Sequence, residues 1–131
     1  MKDIKSQSSM EFFALVGLGF LATILFAAIA VNEVREFSDQ KEFLMIKDLA
    51  LRLQKEVGIA ALVEDGYERS FTLEDKLDGK VDYFTIVTNS SISVNSSKAA
   101  FSVRIPLIYG KNFTKGSNKV EKLSGKVYVN R

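Results

Sequence analysis

Twenty consecutive residues without a charge, positions 12–31, constrain this chain more than any other feature. As a helix they rise about 30 Å, the thickness of a bilayer's hydrocarbon core. A soluble helix of that length carries a polar face, and this one has none. The segment therefore meets lipid or copies of itself. Before it stand Met1-Lys2-Asp3-Ile4-Lys5-Ser6, short, polar and mildly basic, whose lysines hold that end on the cytoplasmic side of a membrane.

From Asn32 the sequence stays helix-compatible but becomes amphipathic. Val34, Phe37, Leu44 and Leu51 fall on one stripe, Phe43, Ile46, Leu53 and Val57 on a neighbouring one, with eleven charged residues between. No proline interrupts the run, so the spacing predicts one helix over residues 8–63, with Asp65-Gly66 as its stop. Gly17, Gly19 and Gly58 each cost it about 1 kcal/mol against alanine.

The rest reads as short strands: 67–73, 83–88, 92–94, 101–107 and 127–129. Residues 101–107 keep strict period two, but Pro106 lies inside them and demands an edge position or an end to pairing. Some 65 residues of sheet bury little alone, so residues 34–63 are expected to lay an apolar stripe across one sheet face. The predicted fold class is α+β. A helix hydrophobic over 7–31 and amphipathic over 32–64 packs on an antiparallel head of four or five strands, residues 65–131.

Composition removes several function classes. There are no cysteines and no histidines, which removes disulfides, the usual zinc sites and thiol or histidine-based catalysis. The net charge of +2 is spread without a basic patch, so no nucleic-acid partner is expected. No catalytic residues can be grouped, and neither enzyme activity nor a cofactor or metal is expected. Glu64-Asp65 and Glu74, Asp75, Asp78 and Asp82 lack EF-hand spacing and read as solvated turn acids.

The stretch Gln7-Ser8-Ser9-Met10-Glu11-Phe12-Phe13-Ala14-Leu15 resembles the Q-x-S-x-E-x-x-x-L signature of archaeal class III signal peptides, the mark of type IV pilin-like proteins. Gln7, Ser9, Glu11 and Leu15 match it, directly after a short leader and directly before the apolar run. The resemblance implies a pilin-like fold, no enzymatic activity, and cleavage between Ser6 and Gln7 by a membrane-embedded prepilin peptidase. It implies that residues 1–6 are a removed leader. The retained helix then waits in membrane lipid before polymerising with copies of itself into a surface filament, with adhesion as the expected role. An assembly ATPase and a membrane platform are the further partners implied. Ser6 stands where the family more often has glycine or alanine.

Glu11 is the one charge in the apolar approach. A carboxylate at a bilayer centre costs about 2.5–3.5 kcal/mol on insertion scales, and less near the end of a span. Cleavage places a new ammonium group at Gln7, one turn away, and the resemblance implies that Glu11 meets the amine of a neighbouring subunit and sets axial register. A plain interfacial glutamate is the alternative. Ala14, Gly17, Ala22, Ala27, Ala28 and Ala30 are small enough for close helix approach, and also ordinary in a membrane span.

Three acceptors for N-glycosylation, at Asn89, Asn95 and Asn112, lie in expected turns of the head. Turn chemistry favours the same residues. Residues 109–118 read as a long hairpin connection. Two other readings compete. A conventional secretory signal could end at Ala28-Ile29-Ala30 and release a soluble binding module from Val31. Alternatively, the chain is an uncleaved single-span protein with a binding head.

Overall fold

The computed structural model describes the backbone of residues 3–131 and the side chains of residues 8–131. One helix, α1 (Asp3–Leu62), is followed by seven strands: β1 (Glu68–Leu73), β2 (Tyr83–Val87), β3 (Ser91–Ser96), β4 (Ala100–Arg104), β5 (Ile108–Gly110), β6 (Gly116–Leu123) and β7 (Lys126–Val129). The fold is α+β, with the pilin-like arrangement of a long N-terminal helix and a small β head. The chain forms two compact units, Met1–Ser38 and Asp39–Arg131.

The first unit is helical and has no core. Every side chain described in it is exposed. Thr23, the only hydroxyl between residues 12 and 31, donates to the carbonyl of Gly19 at 2.9 Å, so that even its polar group is satisfied within the helix.

In the second unit, one face of the α1 residues after Ser38 is buried: Ile46, Leu49, Ala50, Leu53, Val57 and Ala60. They meet inward-facing residues of every strand, among them Leu73, Ile92, Val94, Val120 and Val129. Of the two stripes in the sequence, the one holding Ile46, Leu53 and Val57 is thus the core stripe. Leu44 and Leu51 stay exposed.

The strands form two sheets rather than one. The first has order β1-β6-β7-β5, the second β2-β3-β4. All pairings are antiparallel except β5 with β7, which run parallel with Tyr109 opposite Tyr128. Seven strands replace the four or five expected, because residues 108–110 and 116–123 also form strands. Pro106 falls between β4 and β5, where it ends pairing: Ile105 N–H donates instead to Ser90 O at 2.9 Å and Ile108 N–H to Asn89 O at 3.0 Å.

The helix stop lies where Asp65-Gly66 places it, with Gly66 at φ 95°. The carbonyls at the helix end are capped from afar. Lys122 Nζ, on β6, donates to Ala61 O at 2.9 Å and Val63 O at 2.7 Å. This charge-assisted contact replaces the basic side chain that the last turn itself lacks. Lys122→Met keeps the apolar stem and removes the cap. It is expected to destabilise the head by about 1–2 kcal/mol, read as a lower midpoint in thermal unfolding of the detergent-solubilised chain followed by tyrosine near-ultraviolet circular dichroism.

Candidate functional site

The expected processing and assembly residues all fall in the first unit. Ser6 and Gln7 lie within α1, and their side chains fall outside the described residues, as do Met1 and Lys2 of the leader. Ser9, Glu11 and Leu15 are exposed on the helix, Glu11 and Leu15 one turn apart. From Phe12 onward exposed apolar side chains cover all sides of the helix, and the stretch is long and apolar enough to cross a membrane. The core helix of a soluble protein is distinguished from such a span by burial, and here none of the segment is buried. A signal sequence near the N-terminus meets the same criteria of length and apolarity.

In the second unit the β3–β4 turn is held to α1. Ser96 Oγ donates to the buried Glu42 carboxylate at 2.5 Å, and Lys98 pairs with Asp39 at 2.8 Å. Phe101 meets Phe43 edge-on with centroids 5.9 Å apart, and Lys47 Nζ lies 5.9 Å from the Phe101 ring centre. A deeper ion pair joins Arg69 Nε to Glu56 Oε2 at 3.0 Å, without the alignment of a hydrogen bond.

Two of the turn acids, Asp78 and Asp82, are engaged in ion pairs. Lys41 bonds Asp78 at 2.8 Å, and Lys115 bonds Asp82. Among the described residues no three carboxylates gather at one point. A shallow pocket of about 240 Å³ lies against Arg52, Leu77 and Tyr83, and the Tyr83 hydroxyl at its wall donates to Glu74 O at 2.5 Å.

Hydrogen bonds from Lys41 and Lys115 hold the carboxyls of Asp78 and Asp82 below the usual carboxylate range. Asp39 holds the Lys98 ammonium above its ordinary range, Glu68 and Glu121 do the same for Lys119, and burial raises the Tyr83 hydroxyl. A lowered carboxyl adds stability above the unfolded value of 3.8, lost as pH falls through the folded value. Raised lysines contribute below 10.5, and that contribution is lost as pH climbs through their folded values. The fold likewise prefers neutral Tyr83, so stability falls above 10.0. With no histidine or cysteine present, the midpoint of head unfolding is expected to stay level from about pH 5 to 9 and to decline on both sides. All of these groups except Tyr83 are solvent-exposed, so the declines are shallow and salt weakens them.

The three sequons differ in setting. Asn89 lies in the turn before β3. Asn112 lies in the loop between β5 and β6, where its Oδ1 accepts from Val87 N–H at 3.0 Å. Asn95 is not in a turn: it is the penultimate residue of β3, paired to Phe84 on one side and Ala100 on the other. Its backbone reads as turn-like in sequence because serines surround it, yet alternate positions Ile92 and Val94 drive this segment into the core.

No family model, curated protein or solved structure matches the chain in comparison searches.

Proposed function

We propose that this chain is the structural subunit of an archaeal type IV pilus-like filament, cut before Gln7 by a prepilin peptidase and polymerised through its N-terminal helix. The observation that carries the reading is the pairing of two features on one helix. A charge-free segment exposed on every side begins inside a stretch that matches the Q-x-S-x-E-x-x-x-L signature at Gln7, Ser9, Glu11 and Leu15. The first feature needs an apolar environment. The second supplies a route from lipid, where the precursor waits, to a bundle of identical helices.

Transfer from lipid to bundle replaces one apolar environment with another, so the gain comes from packing and dispersion. Glu11 then has a specific task. In a bundle its carboxylate meets the Gln7 ammonium of a neighbour and fixes the stagger between subunits. The head carries its own core and leaves Leu44 and Leu51 exposed on α1, a surface fit for neighbouring subunits. An assembly ATPase and a membrane platform would drive extrusion, and the head would face outward for adhesion.

Shearing intact cells should release the clipped chain in polymeric form, resolved to monomer in hot detergent. Glu11→Ala should leave clipped monomer in the membrane fraction with the sheared polymer largely lost. Absence of the chain from sheared wild-type material contradicts the subunit reading. Normal polymer from the variant contradicts the register role alone.

A further inference from the structure

The outer face of the three-stranded sheet is divided in chemistry. On β3 and β4 it presents Ser91, Ser93, Ser102 and Ala100, with Ser93 and Ser102 hydrogen-bonded to each other at 2.6 Å and Arg104 at the far corner, opposite Ser91 and two strands from β2. On β2 it presents Phe84 and Ile86, 58% and 47% exposed. None of the small neighbours is long enough to cover those two side chains. Asn95 stands on the same face, directly opposite Phe84 in register. Side chains so paired have Cβ atoms about 4.5–5.5 Å apart.

We infer that Asn95 carries an N-linked glycan whose first sugars lie on Phe84 and Ile86, so that the apolar patch is covered by the chain's own modification. Three observations support the occupant. Asn95-Ser96-Ser97 is an acceptor sequon with Ser97 exposed. The Asn95 carboxamide has no hydrogen-bond partner among the described residues, whereas that of Asn112 accepts from Val87. Register places the attachment nitrogen beside the phenyl ring, which the C–H face of a pyranose can cover and so shield from water.

The donor would be an oligosaccharide activated as a polyprenyl phosphate. Asn95 Nδ2 attacks the anomeric carbon, a C–N bond forms, and the anomeric C–O bond breaks. The lipid phosphate leaves with the electron pair, and the Nδ2 proton passes to a base of the transferase. The inference rests on the head facing outward, as in the proposed function.

The test is glycopeptide mapping of the protein recovered from its native cells, joined to unfolding midpoints for Asn95→Gln, Phe84→Ser and the double variant, each expressed there. The expected result is sugar mass on the Asn95 peptide. Asn95→Gln should then lower the head midpoint by about 2–5 °C, with that loss at least halved when Phe84 is already serine. An unmodified Asn95 overturns the inference, as does an equal loss with and without Phe84. Sugar on Asn89 or Asn112 alone overturns it and leaves the outward head intact. A bare chain that begins at Gln7 overturns it and leaves the filament reading standing, while a bare chain that begins at Met1 overturns both.

Discussion

Gly110→Ala is expected to lower the stability of the head by about 2–5 kcal/mol, more than the substitution of any other glycine in the chain. Gly110 sits at φ 112°, a conformation that L side chains rarely adopt. A Cβ there would also stand 2.1 Å from Val129 O and 3.1 Å from the Val129 carbonyl carbon and nitrogen. These are backbone atoms of β7, which cannot swing aside as a side chain can. The same Val129 carbonyl accepts Lys111 N–H at 2.8 Å, so moving β7 away also disturbs the β5–β7 pairing. Gly116→Ala is the matched control. Its φ of 90° is equally unusual, but open space surrounds it. It should show the backbone strain alone, about 1–3 kcal/mol. Thermal midpoints of the two variants, measured side by side in detergent, separate clash from strain. Equal losses would contradict the close approach at Val129.

Asn118→Leu should cost about 2–4 kcal/mol despite putting an apolar residue of similar size at a site only 1% exposed. The carboxamide holds four groups. Its Nδ2 donates to Thr114 O at 2.6 Å and Gly116 O at 3.0 Å, while its Oδ1 accepts Thr114 N–H and Asn130 Nδ2, each at 2.8 Å. Leucine leaves those partners without a replacement in a buried setting. Asn118→Asp discriminates further. It keeps the acceptor and exchanges the donor for an oxygen facing two carbonyls. It should therefore be less stable at pH 7 than at pH 4, where a protonated carboxyl can donate again. A loss independent of pH would contradict this assignment of donor and acceptor.

Asn118 also explains what was hard to read from the sequence. The inward positions along β6 are Asn118, Val120 and Lys122, and only one is apolar. Period-two reading therefore finds no strand there and runs the 109–118 connection into its start. Asn118 is inward because the 114–116 backbone and Asn130 satisfy its carboxamide. Lys122 is inward because the end of α1 needs a donor. The Lys122 contacts lie about sixty residues away, and although Thr114 and Gly116 are near Asn118 in sequence, polar pairing with backbone leaves no hydrophobic period to read. The parallel pairing of β5 is equally hidden, since three residues carry no period and the partner is the last strand.

Other features were legible because they depend on local chemistry. The absence of charge over residues 12–31 and of proline before Pro106 leaves few alternatives to a long helix. Pro106 marked the end of a ladder because it cannot donate to one. Of the two stripes on the amphipathic stretch, sequence alone could not say which enters the core. Leu44 and Leu51 are as apolar as Ile46 and Leu53, and only the position of the sheets separates them. The motif residues Gln7, Ser9, Glu11 and Leu15 were legible as a pattern. Asn95 reads as a turn residue because its serine neighbours favour turns, although Ile92 and Val94 anchor its strand.

The central claim is that this chain is clipped at one place and then built into a filament. Intact mass with N-terminal peptide mapping of the protein recovered from its native cell surface tests it most directly. The account predicts a mature chain beginning at Gln7; a pyroglutamate start keeps the cut but removes the ammonium that the register role of Glu11 requires. A chain beginning at Val31 would identify a secreted module, and one retaining Met1 a fixed anchor; either result contradicts the account.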